Sequence, residues 1–205
     1  LEQKDTYKTI KSPLGEVLFK EKNSKFFGYA FPITTEEEAK KHIELLKKKH
    51  FSARHWCYAY QIGINKTQYR ANDDGEPSNS AGMPIYGQIL SFGLTNVLVV
   101  VVRYFGGIKL GVGGLVSAYK TTAQLTLEAS DVEEKEITTN FLLQFDYKNM
   151  NRVMRIIKEK NVQIVTQKME ENCQIEIATS QNKSNIVLDS FDDLFEVQII
   201  KKDKE

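Results

Sequence analysis

Three stretches between Arg54 and Leu115 hold most of the residues whose types and spacing could do chemistry: ARHWCYAYQIG, ANDDGEPSNSAGMPI and VVRYFGGIKLGVGGL. Asp73, Asp74 and Glu76 form an oxygen-only acidic loop, which suits a divalent cation, an acid/base pair or a hydrogen-bonded turn ahead of Pro77. The spacing does not continue into a calcium loop, and no metal or cofactor is expected. Gly106, Gly107, Gly111, Gly113 and Gly114 lie between an apolar run and a helical stretch, where backbone N–H groups and the helix dipole can hold an anion. Arg103 and Lys109 flank those glycines with positive charge, and Arg70 and Tyr104 complete the candidate ligand-binding set. A tight strand-to-helix turn needing positive φ and close packing explains the same glycines without a ligand. The spacing is not that of a nucleotide loop, because Val112 and Gly113 stand where a P-loop has Lys and Ser or Thr. Ser78 and Ser80 lack the G-x-S-x-G setting of a nucleophile. His55 and Cys57, two apart on one strand face, are too far separated to pair well. His55, Asp73, Asp74, Glu76 and Ser78 are therefore expected to organise the surface, with Asp74 anchoring Arg70 or Arg103.

Periodicity supplies the elements that must position these groups. Residues 7–31 read as a hairpin of two strands, Gly15 to Lys20 and Lys25 to Phe31, turning at Glu21 to Ser24. Thr35 followed by three glutamates is a capping box, and Ala39, Ile43 and Leu46 share the buried face of its helix. Arg54 to Ile64 reads as an interior strand with Trp56, Tyr58, Tyr60 and Ile62 on one side, and Tyr69 to Ala71 as a short return strand. Ala81 to Phe92 has helical spacing. Asn96 to Arg103 holds six consecutive branched aliphatics, the mark of a central strand buried on both faces, and is expected to release Arg103 at its end. A helix follows from about Leu115 to Ala129. Asp131 to Thr139 is charged and unpatterned, which places the boundary between a 1–133 domain and a 138–205 domain. The second domain reads strand 139–146, helix 147–160, strand 162–170, strand 173–179, helix 182–191 and strand 195–201, a split βαβ order. Val153, Ile156 and Ile157 face inward from its first helix, and Ile186, Val187 and Phe191 from its second.

Composition narrows the partners. The 205 residues carry 28 basic and 27 acidic side chains, so no global field favours nucleic acid or an acidic membrane. Residues 138–205 sum to −1 and the remainder to +2, so any such contact must be local. Cys57 and Cys173 fit no metal spacing and suggest a reducing compartment. The longest apolar run is far too short for a bilayer, and the first residues lack a basic segment followed by an apolar one. The cytoplasm is the expected location.

ARHWCYAY, DDGEPSNSAGMPI and VVRYFGGIKLGVGGL together resemble the IMPACT family (UPF0029), and the added C-terminal domain resembles its bacterial YigZ-like branch. In the segment EPSGTAG of the family this chain has Asn79-Ser80 for Gly-Thr. The resemblance implies an α+β protein with a ribosomal protein S5 domain 2-like α/β domain, followed by a ferredoxin-like βαββαβ domain similar to domain V of elongation factor G. It also implies translation regulation through RNA, the ribosome or a translation-associated protein, with no DNA-specific motif. Two alternatives stand beside that reading: an enzyme on a small phosphorylated or nucleotide substrate using the acidic loop, and a protein-interaction module. The dimetal ligands of a proline dipeptidase, a label some relatives carry, have no visible counterpart.

Overall fold

The computed structural model describes residues 5–64, 67–170 and 172–202. The chain is α+β and divides into two compact units, 7–135 and 136–205, the latter with Asp5 and Thr6.

The N-terminal unit is built on a five-stranded antiparallel sheet of order β2-β3-β6-β4-β5. Its strands are β2 (Leu14–Glu21), β3 (Ser24–Pro32), β4 (His55–Ile62), β5 (Gln68–Asn72) and β6 (Val97–Tyr104). As its aliphatic run demands, β6 is central and buried from Val97 to Arg103. Val97, Val99 and Val101 face α2 (Gly82–Ser91) and α3 (Gly111–Glu128), joined by Phe26, Cys57, Ile85, Ile89 and Tyr119. Leu98, Val100 and Val102 face α1 (Glu36–Lys49), which contributes Ala39, Ile43 and Leu46. The capping box of α1 is complete: the Thr35 hydroxyl accepts from the Glu38 N–H, and the Glu38 carboxylate accepts from Thr35 N. Lys22 and Asn23, both left-handed at φ 44° and 63°, make the two-residue hairpin turn between β2 and β3.

Three expectations for this unit are corrected. Thr6–Ile10 is a strand of its own, β1, so residues 7–31 hold more than a hairpin. Its partner is β7 (Val132–Glu136), inside the stretch read as unpatterned. Backbone pairing needs no apolar alternation, and β7 is exposed along most of its length. Helix α3 starts at Gly111, four residues before the expected Leu115, because glycine weakens a helix without forbidding its first turn.

The C-terminal unit runs β8 (Thr138–Asp146), α4 (Met150–Glu159), β9 (Gln163–Lys168), β10 (Asn172–Ser180), α5 (Ser184–Asp189) and β11 (Gln198–Lys202). Its sheet is antiparallel in the order β11-β8-β10-β9. Phe141, Leu143, Phe145, Ile175 and Ile177 pack against Val153 and Ile157 of α4 and Val187 of α5. Ile186, expected inside, is exposed because α5 is a single short helix whose inward direction is taken by Val187. Phe195, expected in the last strand, precedes it and is 96% exposed.

Candidate functional site

The acidic loop is held by its own carboxylates. Asp73 Oδ1 accepts from the backbone N–H of Ala81 at 3.0 Å and of Gly82 at 2.8 Å, and its Oδ2 accepts from Asn79 N at 2.8 Å. It thereby satisfies the orphan donors at the start of α2, whose cap residue Ala81 has no side chain able to do so. Asp74 Oδ2 accepts from Trp56 N at 2.7 Å, while its carbonyl accepts from His55 Nδ1 at 2.9 Å, which puts the His55 ring proton on Nδ1. Glu76 Oε1 receives Arg103 Nη1 at 2.6 Å and the Tyr119 hydroxyl at 2.8 Å. The Arg103 and Glu76 side chains are only 6% and 4% exposed.

These contacts reassign several sequence expectations. Arg103 is not released at the end of β6: burial of Glu76 beneath the loop draws the guanidinium inward, and Glu76, not Asp74, is its anchor. Ser78 is exposed in the turn, and Ser80 is buried with its hydroxyl donating to the Pro77 carbonyl at 2.6 Å. Asn79 takes φ 60°, the left-handed angle for which asparagine is the best substitute for glycine. The Cys57 thiol donates to the Asp73 carbonyl at 3.0 Å. Burial pushes both the Cys57 thiol and the Tyr119 hydroxyl well up, so both stay protonated and serve as donors rather than nucleophiles. Among the described residues no group of three or more His, Cys, Asp or Glu is placed to hold a metal ion.

The glycine turn stands directly above this cluster. The backbone N–H of Gly106 donates to Ser24 Oγ at 3.2 Å, and a Cβ on Gly106 would lie 2.0 Å from the Asn23 carbonyl carbon, so only glycine fits. Gly107 at φ 86° and Gly111 at φ 72° make the bends on either side of Lys109. Phe105, Ile108 and Val112 are each about half exposed, at 55%, 47% and 57%, and Lys109 is exposed among them. Arg103 lies beneath, its guanidinium 5.5 Å from the Phe26 ring centroid and 5.6 Å from that of Phe105.

The nine residues of the candidate ligand-binding set do not converge. Arg103 faces the α2 and α3 side with Phe26 and Tyr119, and Gly106, Gly107, Lys109, Gly111, Gly113 and Gly114 follow in the loop and the first turn of α3. Tyr104 faces the α1 side, its hydroxyl 2.9 Å from His50 Nδ1. Arg70 pairs in register with Tyr60, a member of the α1-side core, and so lies on that face too.

Sequence reading missed a second polar cluster on the α1 side. His50 Nε2 lies 2.6 Å from the Tyr29 hydroxyl, which donates to Glu16 at 2.9 Å, and Lys49 donates to Glu16 at 3.0 Å. Because Tyr29 donates outward, His50 donates from Nε2 and accepts from Tyr104 at Nδ1. Burial lowers the His50 pKa, with Lys49 adding to the shift, and burial pushes Tyr29 up to about 12. The only sequence signal for this cluster was a histidine closing an amphipathic helix. Ser24, at the end of the β2–β3 turn signal, and Tyr119 of α3 likewise carried no sequence sign of their polar contacts with Gly106 and Glu76.

The Impact N-terminal domain model matches residues 22–127, from the β2–β3 turn to the last turn of α3. The chain belongs to the IMPACT family. Among its IMPACT relatives is YvyE of Bacillus subtilis, 34% identical over 180 residues spanning 88% of this chain and 82% of YvyE. YigZ of Escherichia coli is 33% identical over 146 residues, covering 70% of this chain and 72% of YigZ. A crystal structure of a hypothetical protein superposes with a TM-score of 0.76 at 26% identity, covering 99% of this chain and all of that one. The span matched by the IMPACT family model contains both the acidic loop and the glycine turn. Among the described residues no helix is long and apolar enough to cross a membrane.

Proposed function

We propose that this IMPACT-family chain is a cytoplasmic, translation-related regulatory protein that works by binding RNA, the ribosome or a translation factor, with the loop between β6 and α3 as its contact surface. One observation carries the reading. All three carboxylates of the acidic loop, together with Arg103, are engaged in hydrogen bonds that order the loop bases, while Phe105, Ile108, Lys109 and Val112 stay exposed. Groups that would have to catalyse are used to build, and groups that can touch a partner are free to do so. Arg103 thereby becomes a positioning residue, and Lys109 with the turn's backbone N–H groups carries the contact to phosphate. The finer fold comparisons belong to the same proposal. The N-terminal unit is likened to domain 2 of ribosomal protein S5, and the strand order of the C-terminal unit, with helices in both crossovers, to the ferredoxin-like domain V of elongation factor G.

The exposed apolar trio around Lys109 favours a second reading, in which the partner surface is protein. Co-sedimentation of the full chain with ribosomal subunits, and filter binding of ribosomal RNA, at rising salt separate the two. An RNA contact through Lys109 is expected to weaken with salt and to lose part of its salt slope in Lys109→Ala. A protein contact is expected to persist at high salt and to fail in the Phe105→Ala/Ile108→Ala double variant. Binding to neither, or binding indifferent to both variants, would overturn the proposal.

A further inference from the structure

Far along the chain from the acidic loop, the C-terminal unit holds a cleft of about 370 Å³ whose lining, apart from Phe145, is polar: Gln144, Asp146, Asn172, Gln174, Glu196 and Gln198. Register explains the gathering. Gln144 of β8 lies opposite Gln174 of β10 on one side and Gln198 of β11 on the other, and Asn172 lies opposite Asp146 in the adjoining row. Among the described residues the side-chain amides of Gln144, Asn172, Gln174 and Gln198 have no hydrogen-bond partner. Each offers two donors and an acceptor oxygen with two lone pairs, so together they form a dense, neutral hydrogen-bonding wall.

The charged groups decide what kind of ligand fits. Glu196 is oriented by Lys148 Nζ at 2.7 Å and Asn149 Nδ2 at 3.0 Å, and the same ammonium lies 3.9 Å from Asp146. Lys148 thus meets both carboxylates and Arg152 also acts on Glu196, while none of the lining residues is itself a cation that could hold a phosphate. The wall instead matches a neutral ring that presents N–H donors to the carboxylates and mixed donors and acceptors to the amides. Phe195 and Tyr147 are the chain neighbours of Glu196 and Asp146, and they are 96% and 68% exposed. Neither ring lines the cleft, but each is one residue along the chain from a lining carboxylate, and an exposed aromatic face is a surface on which a planar ring can stack.

We propose that this cleft receives an unpaired nucleobase, stacked on Phe195, with its edge read by the glutamine row and its phosphate left outside. Bases with exocyclic amino donors, such as guanine and cytosine, are preferred over uracil because Asp146 and Glu196 only accept. The site is independent of the contact loop proposed above, and neither reading depends on the other.

The test is titration of the full-length, nitrogen-15-labelled protein with guanosine, cytidine, uridine, glucose and a short single-stranded oligonucleotide, following the side-chain amide resonances of Gln144, Gln174 and Gln198. Guanosine and cytidine are expected to shift these resonances saturably and more tightly than uridine. Phe195→Ala is expected to weaken the binding about tenfold with the rest of the spectrum unchanged. Tighter binding of the oligonucleotide assigns the base to a strand, and equal binding assigns it to a free nucleoside; either outcome upholds the proposal. It is overturned if no nucleoside or oligonucleotide shifts the amides, if glucose shifts them as strongly as guanosine, or if Phe195→Ala leaves the affinity unchanged.

Discussion

Glu76 accepts from both Arg103 and Tyr119 at one oxygen, in a setting from which water is almost absent. Removing one partner strands the other. Glu76→Ala is expected to destabilise the N-terminal unit by about 3–5 kcal/mol, because an uncompensated guanidinium stays buried. Glu76→Leu combined with Arg103→Met replaces the pair by apolar groups, and its loss should fall well short of the sum of the single losses. Urea unfolding of the two single variants and the double checks this, and simple additivity would show that the pair is not coupled. Asn79 gives a smaller test. Its φ of 60° strains most residues, so Asn79→Ala should cost about 1 kcal/mol while Asn79→Gly costs nothing measurable in the same assay.

At the scale of elements, α1 is fastened to the sheet at its C-terminal end by His50, whose ring nitrogens meet hydroxyls from β3 and β6. The folded state holds the His50 pKa below its ordinary value through burial, with Lys49 adding and Glu16 opposing. His42 is shifted the same way by burial. In the window between the folded pKa values and the unfolded value of about 6.5, the unfolded chain binds protons that the folded chain does not. Stability should therefore fall as pH drops through about 6.5, level out below the folded pKa values, and stay flat with respect to these groups above about 7.5. His50→Gln should shrink that slope without abolishing it, since His42 remains. Urea midpoints measured across this range test it, and an unchanged slope in His50→Gln would remove His50 as a cause.

Elements written in local pattern were legible in the sequence. The six branched aliphatics of β6 announced a central strand, and Thr35 with Glu38 announced the start of α1. Strand β7 was not legible, because its stabilisation lies in backbone pairing and its side chains are charged. The turn chemistry of the acidic loop was readable from its residue types. Which carboxylate met Arg103 was not, since the two residues are 27 positions apart and only the packed sheet and α3 bring Glu76 beneath the loop. The candidate set also mixed sheet faces: Arg103 and Tyr104 are neighbours in sequence, and strand alternation sends them to opposite sides.

At the scale of the whole molecule, each unit has its own buried cluster: one centred on β6, the other on Leu143 and Ile175. A fragment covering 7–135 is accordingly expected to fold alone, with amide exchange along β6 as slow as in the full chain. Hydrogen exchange on fragment and full chain compares them directly, and loss of protection along β6 in the fragment would show that the core needs the remainder.

The contact between Gly106 and Asn23 also bears on motion. No side chain separates the hairpin tip from the glycine turn there, so no rotamer can change to absorb a displacement of either. A partner that pulls on Ile108 or Lys109 would push backbone directly on backbone, and the β2–β3 tip would be driven along with it like the far end of a rigid lever.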